Sequence, residues 1–156
     1  MTLLVFGDYQ CPYTRMAERI IGRLRAEYGL SLRAAFRQLP LTEIHPRALA
    51  AAVAAEAAAA QGAFWEMHDT LFAHQDALED DDLRRYADDL GVDLDRVDTN
   101  AIADRLEADY RSAVDSGARG TPTLFINGTL HDGRYDQPIL AAALDDAGAV
   151  RETPTA

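Results

Sequence analysis

The feature that most constrains this chain lies at its start: the apolar run Leu3-Leu4-Val5-Phe6 stops at Gly7-Asp8, and helical periodicity follows soon after. A short apolar run bounded by breakers fits a buried strand, here residues 2 to 7. Past Cys11 and Pro12, residues Met16, Ile20, Ile21, Leu24 and Tyr28 recur at helical spacing, and Gly29 stands where helices commonly stop. The spacing predicts a helix over about 13–28. Leu32, Ala34 and Phe36 then alternate with Arg33, Ala35 and Arg37, a second strand that ends before Pro40. Strand, helix, strand in this order implies a parallel pair with a right-handed crossover, so Cys11 belongs at a sheet edge and a helix mouth.

From about 45 to 117 no strand pattern occurs, and helix signals are separated by Gly62, the acidic run Glu79 to Asp82, and Gly91. This middle reads as a helical insertion. Thr123, Leu124, Phe125 and Ile126 run into Asn127-Gly128, a dipeptide that tolerates positive φ at both positions and so closes hairpins. A hairpin over 123–132 is expected, and then a last helix after Asp136, with Ile139, Leu140, Ala143 and Leu144 facing the sheet. The fold class is therefore α/β: one domain over about 1–150, with the insertion inside it and 151–156 as a tail.

The 156 residues are 48% hydrophobic, enough for one substantial core and too few for two ordinary domains. The net charge of -11 argues against a nucleic acid partner, which would draw on basic side chains. No apolar run approaches the roughly 20 residues of a membrane helix. No basic segment followed by an apolar stretch and a cleavage site opens the chain, so the expected location is cytoplasmic, a longer exported precursor being the alternative. The basic residues are all Arg, and Ala is abundant between Ala48 and Ala60; both read as coding bias. The four histidines, His45, His68, His74 and His131, lack the paired spacing of a metal site, and no metal is expected. Gly117 and Gly120 are too sparse for a phosphate loop.

The chain has a single cysteine, so no intrachain disulfide can form. Cys11, Pro12, Tyr13 and Thr14 lie between strand and helix, where unpaired amides and the helix dipole favour a thiolate; the plainer reading of Cys11 is a small buried hydrophobe. Pro12 suits the first helical turn, where its fixed φ fits and its missing amide hydrogen is not needed. Thr14 either donates a hydrogen bond to the thiolate or serves the first turn of the helix. Asp8 is read as a loop or capping residue, with proton relay as the alternative. Phe64, Trp65, Met67, His68, Leu71 and Phe72 read as core, with a substrate groove as the alternative. Glu79 to Asp82 suit the amino end of a helix. Pro122 precedes a strand, where proline is tolerated.

Two stretches, Phe6-Gly7-Asp8-Tyr9-Gln10-Cys11-Pro12-Tyr13 and Gly120-Thr121-Pro122-Thr123-Leu124-Phe125-Ile126-Asn127-Gly128, resemble the DsbA-like branch of the thioredoxin superfamily, and the element order extends the resemblance over nearly the whole chain. It implies a thioredoxin fold with a helical insertion between the second and third strands. It also implies Cys11 as nucleophile, Pro122 as a cis-proline facing it, and Thr121 offering its backbone to a substrate peptide. The family usually carries CxxC, and Thr14 stands here in place of the second cysteine. The motif is a monothiol variant, CPYT.

The expected function is thiol–disulfide exchange, as an oxidoreductase or isomerase, through a mixed disulfide on Cys11 that a second external thiol releases. The partner would be a cysteine-containing protein or a small thiol. No cofactor is expected to be bound, and glutathione or another small thiol is the candidate co-substrate. The Pro12-Tyr13 pair also resembles the middle of the glutaredoxin motif. Two alternatives accompany this reading. One is a redox-inactive peptide- or partner-binding domain, since related domains occur attached to sodium/proton antiporters. The other is a glutathione transferase like the kappa class, which shares the architecture.

Overall fold

The computed structural model describes residues 1–151. Along the chain run β1 (Thr2–Gly7), α1 (Pro12–Tyr28), β2 (Arg33–Gln38), α2 (Ala48–Ala59), α3 (Phe64–Ala73), α4 (Asp80–Leu90), α5 (Thr99–Asp115), β3 (Thr123–Ile126), β4 (Thr129–Leu130) and α6 (Gln137–Asp146). The strands form one sheet in the order β2-β1-β3-β4. β1 runs parallel to β2 and antiparallel to β3, with Val5 opposite both Phe36 and Leu124. The short apolar run at the start of the chain is thus one of the two inner strands of the sheet, buried from Val5 to Gly7.

α1 begins one residue before its expected start because Pro12 supplies the first helical turn and Cys11 is the residue that caps it. Its buried face is Thr14, Ala17, Ile21, Leu24 and Tyr28. The expected stripe is therefore rotated, and Met16 is 52% exposed. Tyr28 closes the far end of α1 by donating to Ala141 O at 3.0 Å and to Asp145 Oδ1 at 2.6 Å, which docks α6 on the helix. In β2, Phe36 and Gln38 point to the buried side, so the alternation holds to the end of the strand but its last inward residue is polar.

The Asn127-Gly128 turn has φ of 48° and 84°, the left-handed region a two-residue hairpin requires. Asn127 also accepts a bond from Thr2 N at 2.9 Å through Oδ1, tying the turn to the start of β1. The hairpin is shorter than expected: β4 has only two residues, both exposed. Beyond it, His131 turns back to bond Arg134 O at 3.0 Å. Of the tail expected over 151–156, residues 152–156 lie outside the described residues, and Arg151 is held by pairing with Asp145 at 2.6 Å and with Glu27.

The insertion is four helices. α2 buries seven alanines, Ala48, Ala51, Ala52, Ala54, Ala55, Ala57 and Ala58, so the alanine run read as coding bias is a packing surface. On α3, Met67, His68, Leu71 and Phe72 are buried, the core role expected for them, whereas Phe64 is half-buried and Trp65 exposed. The acidic run starts α4, where Glu79 N donates to Asp82 Oδ2 at 3.2 Å. The insertion is fastened to the sheet at the end of β2: Gln38 N donates to Asp109 Oδ2 at 2.9 Å, and Gln38 Nε2 to Glu56 Oε1 at 3.0 Å. Burial pushes both carboxyls, Glu56 and Asp109, above the ordinary range, against the opposing pull of Gln38 and Arg105.

At Gly7 a Cβ would stand 2.3 Å from Phe36 Cε2 and 2.7 Å from Thr14 Cγ2. Gly7→Ala is therefore expected to destabilise the fold by about 2 kcal/mol or more, read as a lower midpoint in denaturant; an unchanged midpoint would refute the close approach. For Glu56, a carboxyl pKa raised on folding means the folded state holds the proton longer. The stability this contributes is full below the unfolded-state value of about 4.3 and is lost as pH rises through the folded value. Glu56→Gln keeps an acceptor for Gln38 without the charge. It should melt about 2 °C higher than the parent at pH 7 and no higher near pH 4, by thermal unfolding at each pH.

Candidate functional site

The register of the sheet builds the site. Phe6 pairs with Thr123 across the antiparallel β1 and β3, so the residues that follow β1 and those that precede β3 emerge at the same edge. Cys11 leaves that edge on one side and Thr121-Pro122 arrives on the other. Cys11 Sγ donates to Thr121 O at 3.3 Å, and the Thr121–Pro122 peptide bond is cis. Thr121 Oγ1 is buried with no partner among the described residues.

Cys11 is the residue before the first turn of α1, with φ -76° and ψ 119°. Its sulfur therefore lies at the positive end of a 17-residue helix, whose first amides have no intrahelical acceptor. Cys11 is 3% exposed, while Tyr13 is 60% exposed, so the thiol sits in a pit with an aromatic and a thioether, Tyr13 and Met16, facing solvent on its helix. Pro12 is exposed and contributes its φ rather than a contact.

Thr14 answers its two readings with a third arrangement. The residue is fully buried, and its Oγ1 accepts from Asp8 N at 3.4 Å. Its hydroxyl serves the loop before the thiol. Asp8 is a loop residue, as read: its buried carboxylate accepts from Gln10 N at 2.7 Å, Leu41 N at 2.8 Å and His45 Nδ1 at 2.8 Å.

Several residues of the site escape a sequence reading. His45 pairs with Asp8, and among the described residues no group of three or more His, Cys, Asp or Glu side chains could hold a metal ion. Tyr9 is fully buried, its hydroxyl 3.1 Å from His68 Nδ1, and His68 Nε2 lies 3.3 Å from Glu18 Oε2. Burial pushes the Tyr9 phenol well above its usual range, and Glu18 adds to the rise. Tyr135 lines the cleft beside the thiol, and burial raises its phenol above the usual range. A cleft of about 710 Å³ opens beside the cis bond, lined by Arg119, Thr121, Pro122, Leu130, His131 and Tyr135 among others. Its only sequence signal was the Thr-Pro before a strand. The Phe64–Phe72 segment lines no part of it.

A DSBA-like thioredoxin domain matches residues 2–145. Among curated relatives, the chain is 47% identical to a Na(+)/H(+) antiporter NhaA 3 of Salinispora tropica over 96% of its own length and 23% of that protein, and 41% identical to a Na(+)/H(+) antiporter NhaA 1 of Mycolicibacterium gilvum over 93% and 24%. The chain thus spans about a quarter of the length of the curated relatives it matches. Among the described residues no helix is long and apolar enough to cross a membrane. Among solved structures, a thioredoxin-like oxidoreductase from Silicibacter pomeroyi superposes with a TM-score of 0.82 at 27% identity, over 94% of this chain and 85% of that one. The thiol-disulfide exchange protein alpha-DsbA2 from Wolbachia pipientis superposes with a TM-score of 0.81 at 21% identity, over 94% and 81%. The fold is the thioredoxin fold with a helical insertion of these proteins. A periplasmic thioredoxin-like protein from Salmonella enterica serovar Typhimurium superposes at 0.80, with 20% identity over 93% and 82%. That neighbour is periplasmic, which contradicts the expectation of a cytoplasmic location.

Asp8→Ala removes the acceptor of three bonds at once, two of them from backbone amides. The expected loss is about 2 to 3 kcal/mol in denaturant unfolding. A loss under about 0.5 kcal/mol would show that the loop is held without it.

Proposed function

Because the chain belongs to the DSBA-like thioredoxin domain family, we propose that it carries out thiol–disulfide exchange with Cys11 as its one nucleophile. The observation that carries this reading is the Cys11 thiol at the start of α1, 3.3 Å from Thr121 O and beside the cis bond to Pro122. The Cys11 thiolate attacks one sulfur of a disulfide R–S–S–R′, forming Cys11–S–S–R and expelling R′–S⁻, which takes up a proton. With Thr14 where a second thiol would stand, the chain has no internal group to complete the exchange. An external thiol R″–SH loses its proton, attacks the R sulfur of the mixed disulfide, and leaves R–S–S–R″ with Cys11 again a thiolate. R″–SH is glutathione, another small thiol, or a cysteine of a partner protein. Thr121 supplies the backbone that pairs with a peptide substrate, and the adjacent cleft receives the residues flanking its sulfur.

A second reading is favoured by the curated relatives, in which a segment like this chain makes up about a quarter of a longer protein. In it the domain binds a peptide or a partner protein without exchange. Undiminished capture of the same partner by Cys11→Ser, under both reducing and oxidising conditions, would support it.

Incubation with oxidised glutathione followed by intact mass measurement tests the first reading. The expected result is one glutathione adduct on the parent, none on Cys11→Ser, and loss of the adduct on adding a reduced thiol; absence of the adduct on the parent would overturn it. Thr14→Cys restores a CxxC motif, and its second sulfur is expected to expel glutathione, so the adduct should fall at least about tenfold in favour of an intrachain disulfide. This change also gives up the Thr14 bond to Asp8 N, at a cost of about 1 kcal/mol in stability.

A further inference from the structure

We infer that Gln75 is a positioning residue for the Cys11 thiol, an assignment that rests on the exchange reading above. Gln75 follows α3 and is 8% exposed. Its Nε2 donates to Tyr9 O at 2.7 Å and to Cys11 O at 3.0 Å. A side-chain amide nitrogen has two hydrogens, and both are spent on the two carbonyls that flank Gln10. The Cys11 carbonyl also accepts the first bond of α1, from Arg15 N at 3.2 Å, so Gln75 grips the peptide at which loop becomes helix.

The grip is firm from the side of the insertion. The turn that presents Gln75 is closed by His74 N to Thr70 O at 3.0 Å and Ala77 N to His74 O at 2.9 Å. The His74 ring stacks on Tyr86 with centroids 5.1 Å apart, which anchors the turn on α4. The same region holds the loop a second time, through His68 and the Tyr9 hydroxyl. Tyr9 is thereby fixed at both its ring and its carbonyl, and Gln10 N is fixed by Asp8. The plane of the Cys11 peptide sets the direction of its Cα–Cβ bond. Gln75 holds that plane so that Sγ stays against Thr121 O and before the first amides of α1.

Alkylation of Cys11 by iodoacetamide across pH, together with thermal unfolding, tests the assignment on the parent, Gln75→Met and Gln75→Asn. Met fills the same space without a donor, and Asn keeps the donor but draws it back by one methylene; either variant that unfolds cooperatively is informative. The expected result is a pH profile of alkylation displaced upward in the variants relative to the parent, with a rate near pH 7 about threefold to tenfold lower. A profile unmoved in the folded variants, even with a lower melting temperature, would make Gln75 a structural residue only and leave the exchange reading standing. A parent that resists alkylation and takes up no glutathione would overturn both.

Discussion

A loop that carries a reactive side chain between a strand and a helix has to satisfy its own backbone away from water, and here the buried Asp8 carboxylate does much of that. It collects the amides of Gln10 and Leu41 and the imidazole of His45 on two oxygens, which joins the end of β1 to the segment before α2. Gln75 and Thr14 complete the set from opposite sides, one by donating to the loop carbonyls and the other by accepting from Asp8 N. The buried polar groups of Asp8, Tyr9, Gln10 and Thr14, in the loop before Cys11 and the turn after it, are thus tied to one another and to three distant parts of the chain. Leaving one of them unpaired costs more than the bond itself contributes, so the loop has a single favourable conformation.

Sheet topology decides what that conformation faces. With β1 between β2 and β3, the loop opens onto the strand that runs antiparallel to it, and the residues before β3 close over the thiol. Gly7 is where the two requirements meet. The strand must end close enough to Phe36 and Thr14 that no side chain fits, which brings the start of α1 tight against the sheet and holds the helix dipole at the sulfur. The sheet supplies proximity, and the loop supplies orientation.

Much of this is legible in the sequence where the determinant is local. The breakers at Gly7-Asp8, the proline at the first turn of α1 and the Asn-Gly turn each act within a few residues, and the strands, α1 and the hairpin stand where they imply. The CPYT motif and the Thr-Pro are local as well, and the structure brings them together. What the sequence leaves unread is polar and long-range. Gln75 reaches a loop 64 residues away in sequence, His45 one 37 residues away, and His68 bridges Tyr9 and Glu18. Nothing in the type of these residues distinguishes them from solvated ones, because their partners are chosen by the fold. The alanines of α2 were opaque for a related reason: a methyl group carries no signal until the surface it fits is known.

Those alanines have a consequence for how the insertion stays in place. A buried leucine or methionine gives up rotational freedom when it packs, and alanine has none to give up. The seven buried alanines of α2 therefore meet the core with no side-chain entropy to lose, and the ordering cost of that face is the backbone's alone. Those alanines have no alternative rotamers with which to repack, and the insertion they help to dock also supplies the side chains that hold the loop before the thiol, His68 and Gln75.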